Sequence, residues 1–227
     1  MSEVQEALTS VLNPARHVLL DFDGPVCSIF ASISASDVAC QLREELWRGE
    51  SPPWAEDESD PLSLLRRIEE EIPDLVARAD SHLIRLEEKA AVGARPTPGS
   101  VAFLKACAAG GRSVWLVSNN ASSAMNNYLA AHGLDRYVAG RFGRVPGSPS
   151  SMKPSPQLLV AAMRAAGASS GECVFVGDAV RDIEAAHAAG MEAIGYANKP
   201  GKAERLAGAG AAAVVTSMND LAAAVAR

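Results

Sequence analysis

Five short apolar runs, each closed by acids, amides or small polar residues, set the fold class of this 227-residue chain. They are HVLLDFDG from His17, SVWLVSNN over 113–120, CVFVGDA over 173–179, MEAIGYA over 191–197 and AAVVTS over 212–217. Each is too brief for a helix and fits a buried strand. Helical patterns separate them: EVQEALTSVL over 3–12, stopped by Asn13-Pro14, then VAFLKACAA, SSAMNNYLAAH, SPQLLVAAMRAA, VRDIEAAHAA, KAERLAGA and NDLAAAVA. Gly110, Gly133, Gly167 and Gly190 stand where those helices should stop. Strands alternating with helices predict an α/β fold, a Rossmann-like doubly wound parallel sheet with helices on both faces. Alanine contributes 42 residues and aromatics only 5%, so the core must be Ala, Val and Leu packed at close range.

One stretch breaks the rhythm. From Cys27 to Arg95 no strand is expected. IFASISASDVACQLREELW reads as a helix, GESPPWAEDESDP as an acidic, Pro-rich loop, and SLLRRIEEEI and DLVARADSHLIRLEEKAA as two more helices. ARPTPG closes the segment as a linker. The expected division is therefore 1–26 and 96–227 for the α/β core, with 27–95 as a helical insertion. The insertion holds 15 acidic and 8 basic residues, against 12 and 13 in the rest of the chain. The whole acidic surplus belongs to it.

Net charge of −6 argues against a nucleic-acid surface. Four scattered cysteines and four histidines form neither CxxC nor HxxxH, which sets aside a disulfide framework or structural zinc site. No apolar run reaches the ~20 residues a membrane helix needs, and MSEVQEALTS has no basic-then-apolar leader pattern. The expectation is a cytoplasmic protein with no membrane or nucleic-acid partner.

Ligands in open parallel sheets bind beyond the carboxyl ends of the strands, which directs attention to four loops. Asp21 and Asp23 follow the first strand, two residues apart, so both can reach one cavity; Asp-Gly is equally a turn pair. Ser118-Asn119-Asn120 precedes a helix, where a hydroxyl and backbone N–H groups suit an anion or serve as an ordinary cap. Lys153 sits in MKPSP before another helix, as a phosphate clamp or a solvated lysine. Asp178 and Asp182 lie one helical turn apart, able to hold a hard cation or to complement a helix dipole.

Their joint order, D-x-D, Ser-Asn, Lys-Pro and G-D-x-x-x-D, resembles the haloacid-dehalogenase-like (HAD) hydrolase superfamily. The nearest branch is phosphoglycolate-phosphatase-like, with a helical cap after the first motif. DFDGPV resembles the first motif, VSNN the second, MKPSP the third and GDAVRDIEAAHAAGM the fourth. The resemblance implies a Mg²⁺-dependent phosphatase acting on a small phosphorylated metabolite. It makes Asp21 the nucleophile and Asp23 the general acid/base, and gives Ser118, Asn119 and Lys153 to the phosphate. Mg²⁺ would be held by Asp21, the Asp23 carbonyl and Asp178, with Asp182 as a further or outer ligand. Ser28, Ile29, Phe30 and Ser32 open the cap nearest the chemistry. The departure is Pro25, where the family usually has a threonine whose hydroxyl supports the loop; proline donates no hydrogen bond. A phosphosugar mutase and a non-catalytic binding or regulatory module share the pattern and stand as alternatives. Trp47 and Trp54 read as pocket, packing or surface-patch residues, Cys107 as a buried small residue on a helix, His187 as packing or surface, and GAGAAA at 208–213 as no dinucleotide fingerprint.

Overall fold

A computed structural model describes residues 3–226, with side chains from Glu6 onward. The chain runs α1 (Glu3–Leu12), β1 (His17–Leu20) and β2 (Cys27–Ser28). It continues through α2 (Ala35–Trp47), α3 (Pro53–Glu56), α4 (Pro61–Glu71), α5 (Val76–Val92), β3 (Arg95–Pro96) and α6 (Ser100–Ala109). Then come β4 (Ser113–Val117), α7 (Ser122–His132), β5 (Gly140–Phe142), α8 (Gln157–Ala166), β6 (Cys173–Gly177) and α9 (Val180–Ala188). The chain closes with β7 (Glu192–Tyr196), α10 (Lys202–Gly208), β8 (Ala213–Val215) and α11 (Met218–Val225).

Six parallel strands form the main sheet in the order β5-β4-β1-β6-β7-β8. The chain winds outward from β1 to β5, then crosses back to β6 and winds the other way. That reversal opens a crevice at the carboxyl end of β1, where ligands bind in such sheets. Alternate side chains feed two cores. Val18 and Leu20 join one with Phe103, Met125, Tyr128 and Leu221, while Leu19 joins the other with Leu159, Phe175, Ile183 and Leu206. Burial on both faces explains the continuous apolar runs.

The helices between β2 and β3 make a helical cap with its own apolar cluster, in which Val38, Leu42, Leu64, Leu65, Ile68, Ala79 and Leu83 are buried together. Three short strands differ from the sequence expectation. Cys27–Ser28 pairs antiparallel with Arg95–Pro96, a two-residue clasp that joins the chain where it enters and leaves the cap. Gly140–Phe142 adds the edge strand β5. The expected first cap helix is also divided: a single 3-10 turn, Ile29–Ala31, precedes α2, because Phe30 leaves helical geometry (φ −91°, ψ 31°). Ser34 then caps α2 by accepting from Asp37 N. Trp47 and Trp54 meet edge to face at 6.0 Å and pack on the cap cluster.

Among the described residues no helix is long and apolar enough to cross a membrane. All four cysteines are free, with Cys40 exposed and Cys27, Cys107 and Cys173 buried. Burial pushes the thiols of Cys107 and Cys173 up to about 12 and about 11. A colorimetric thiol titration at pH 8 should therefore show one fast thiol per chain and three more only on unfolding. Two fast thiols in the folded protein would contradict this packing.

Candidate active site

The crevice at the end of β1 is a cavity of about 420 Å³, and residues from all four loops line it: Asp21, Asp23, Ser118, Asn119, Lys153 and Asp178. Asp182, the remaining sequence-selected residue, lies buried just behind it. The loops thus converge, although they are separated by up to 161 positions in the chain (21 to 182).

Asp21 is fixed through one oxygen. Its Oδ1 accepts from Phe22 N at 2.8 Å and lies 2.8 Å from Lys153 Nζ; Oδ2 takes part in neither contact. Asp23 Oδ1 accepts from Ile29 N at 3.0 Å, so the first turn of the cap orients this acid. Gly24 lets the loop approach the fourth motif. It sits at φ +110°, and a Cβ there would fall 2.6 Å from the Asp178 carboxyl carbon. Thr97, just after the strand leaving the cap, donates its hydroxyl to Gly24 O at 2.5 Å. The loop that carries Pro25 thus receives a hydroxyl from just beyond the other end of the insertion.

Lys153 is buried at the floor. Its Nζ stands 2.8 Å from Asp21 Oδ1 and 2.8 Å from Asp182 Oδ1, and donates to Val117 O at 3.1 Å. Its main chain is splinted to the second loop: Lys153 N donates to Asn119 Oδ1 and Asn119 Nδ2 donates to Lys153 O. From the cap, Arg66 donates to the same carbonyl at 2.6 Å. The Asn119 carboxamide is therefore engaged with the Lys153 main chain at both ends. Ser118 Oγ and Asn120 hold each other, with Oγ donating to Asn120 Oδ1 and accepting from Asn120 N.

Asp182 Oδ2 accepts from both Asp178 N and Ala179 N at 3.0 Å, closing the first turn of α9. Its Oδ1 is buried and has no hydrogen-bond partner among the described residues, only the ion pair with Lys153. Asp178 Oδ2 accepts from Asn198 Nδ2 at 2.9 Å and from Lys202 Nζ.

Oxygens of Asp21, Asp178 and Asp182 lie within 4.8 Å of one another. At that separation two carboxylates repel by about 3.5 kcal/mol even at an effective dielectric of about 20. One buried lysine does not offset three such groups. Burial, opposed by Lys153 and reinforced by Asp182 and Asp178, raises the Asp21 carboxyl to about 7. Burial likewise raises Asp23 to about 6, against the Ile29 N–H. A crowded, under-neutralised oxygen cluster of this kind fits a hard divalent cation. Because such a cation displaces the proton from Asp21, Mg²⁺ should raise the melting temperature more at pH 7.5 than at pH 5.5. Equal shifts at both pH values would count against this site.

Three participants escaped the sequence reading. Thr97 and Asn198 lie on connecting segments and Lys202 opens α10; their spacing carries no signal, and only the fold brings them to the pocket. Asp80 and Glu87 did carry one, being acids seven apart on the face of α5 that also buries Val76, Ala79, Leu83, Ala90 and Ala91. Both are fully enclosed around Arg144.

A doubly wound parallel sheet with inserted helices, paired acids and a buried lysine at its switch point frames the site. The family comparison is equally specific: the sequence pattern of haloacid dehalogenase-like hydrolases matches residues 15–190. This chain belongs to that family. It is 26% identical over 214 residues to enolase-phosphatase E1 of Yarrowia lipolytica, covering 82% of this chain and 90% of that one. Among solved structures it resembles a predicted phosphatase from Clostridium acetobutylicum (TM-score 0.71, 17% identity, 92% of this chain and 97% of that one). It also resembles CbbY from Rhodobacter sphaeroides, solved in complex with phosphate (TM-score 0.68, 15% identity, 91% and 96%).

Proposed function

We propose that this protein is a Mg²⁺-dependent phosphatase hydrolysing a small organic phosphate monoester, with residues 27–95 as the cap over its active site. The observation that carries the reading is one pocket holding Asp21, with an uncommitted oxygen beside a buried lysine, and Asp23, raised toward neutrality and aligned by the cap. The named phosphatase relative supports it.

In this reading Asp21 attacks phosphorus through Oδ2 while Asp23 hands its proton to the departing alcohol oxygen. The resulting aspartyl-phosphate is then hydrolysed by water, from which Asp23 takes a proton. A carboxyl titrating near 6 both gives and receives a proton close to neutral pH. Ser118, the Asn119 main chain and Lys153 bind the phosphoryl oxygens. Mg²⁺ would be held by Asp21, the Asp23 carbonyl and Asp178, and supplies positive charge against the phosphoryl oxygens when bound. Asp182 serves from behind, tying Lys153 to the Asp178 loop.

The test is phosphate release from a panel of monoesters, with Mg²⁺ and after chelation. Metal-dependent turnover of at least one ester is expected. Silence across the panel would favour a binding module, and a bisphosphate product would indicate a mutase.

A further inference from the structure

The cations of the pocket fall into two groups. Lys153 lies at the floor between Asp21 and Asp182. Arg181, Lys199 and Lys202 line another wall, from the start of α9, the loop after β7 and the start of α10. They face only two lining acids besides Asp21: Asp23 and Asp178. Their own attachments are slight. Arg181 is 3.9 Å from Asp60 of the cap, with both side chains about two-fifths exposed. Lys199 has no ion-pair partner among the described residues. Lys202, four-fifths buried, pairs with Asp178 Oδ2.

The charges at the floor are nearly matched without this wall. Asp21, Asp178 and Asp182 bring three negative charges, and Lys153 with a divalent cation brings three positive ones. Once the cation shares Asp178, the Lys202 ammonium no longer has that carboxylate to itself. The wall also continues outward. Asp178, Ala179, Arg181 and Lys202 border a second cavity of about 400 Å³, which adds Arg205, Glu184 and the apolar Val180 and Leu206. Arg181 and Lys202 therefore border both cavities, whereas Ser118, Asn119 and Lys153 border only the first of the two.

We propose that Arg181 and Lys202 form a subsite for a second anionic group on the substrate, so that the alcohol released carries its own carboxylate or phosphate. This rests on the phosphatase reading for its chemistry but not for its binding. The acidic cap does not oppose it, because both residues belong to the core and the wall is positive locally whatever the charge of the lid.

Non-hydrolysable phosphonates separate the two readings. In Mg²⁺ buffer, calorimetric titration should show 3-phosphonopropionate binding at least about tenfold tighter than propylphosphonate, which matches it in length without the carboxylate; methylenediphosphonate tests a phosphate-like second anion. Lys202→Met and Arg181→Met should each bring the ratio toward one, whereas Lys202→Arg should preserve it, which mere neutralisation lost with a misfolded loop would not do. A ratio near one in the unaltered protein, no binding of any phosphonate, or a ratio unmoved in both Met variants overturns the subsite. A protein that discriminates the phosphonates yet hydrolyses no ester retains the subsite and loses the phosphatase reading.

Discussion

Asp21→Asn should lower phosphate-ester turnover by roughly 10⁴-fold or more, the scale seen when a covalent nucleophile is removed and binding groups remain. The substitution is nearly isosteric, and the carboxamide oxygen it introduces can still accept from Phe22 N. A carboxamide cannot attack phosphorus, and it presents no charge to Lys153. Circular dichroism should be unchanged, with melting within about 4 °C, which in a chain of this size corresponds to one to two kcal/mol. Loss of activity with the fold intact would place the defect in chemistry. Activity within tenfold of the original would remove Asp21 from the nucleophile's role. Asp23→Asn gives a complementary result. If Asp23 protonates the leaving oxygen, its loss should harm alkyl esters far more than aryl esters, whose phenolate departs without a proton.

The residues legible in the sequence share a physical cause. β1, β4 and β6 lie side by side with helices over both faces, so almost every side chain is apolar and the strands announce themselves. Their ends are equally conspicuous, because Asp21, Ser118 and Asp178 interrupt apolar runs abruptly. β5 lacks both signs. Gly140, Arg141 and Phe142 are each half-buried at an edge and alternate in no pattern. The clasp of Cys27–Ser28 on Arg95–Pro96 depends on the cap returning to its point of departure, which no local window contains. Lys202 and Arg181 were equally hidden. The role proposed for them rests on the wall they share from the starts of α9 and α10, not on spacing. Two acids of the insertion's surplus, Asp80 and Glu87, are entirely enclosed, which the charge count alone does not show.

That enclosure yields the largest expected effect on stability. Arg144 donates Nε to Asp80 Oδ1 at 2.7 Å and makes a two-pronged contact with Glu87, both at 3.0 Å; its Nη1 also donates to Asn119 O at 2.7 Å. The carboxylates are themselves saturated. Asp80 Oδ2 accepts from Gly147 N, and Glu87 accepts from Asn120 Nδ2 and Ala121 N. Helix α5 is thereby tied to the loop carrying Ser118, since Asn120 holds Ser118 Oγ in turn. Arg144→Met would leave two buried carboxylates without a counter-charge, a loss of about 3–5 kcal/mol, or roughly 10 °C in melting temperature for a chain of this length. Uncompensated carboxylates are relieved by protonation, so folding of the variant takes up protons. Its deficit in urea unfolding should be smaller at pH 5 than at pH 8. A deficit below about 1 kcal/mol at both pH values would show the network to be dispensable. Replacing all three by apolar residues (Asp80→Leu, Glu87→Met and Arg144→Met) should recover part of the loss but not all. The charges then vanish together, while Gly147 N, Ala121 N and Asn120 Nδ2 lose their acceptors. Because Asn120 would then be released from α5, the triple variant should stay folded yet bind phosphonates more weakly, which separates the network's contribution to stability from its hold on Ser118.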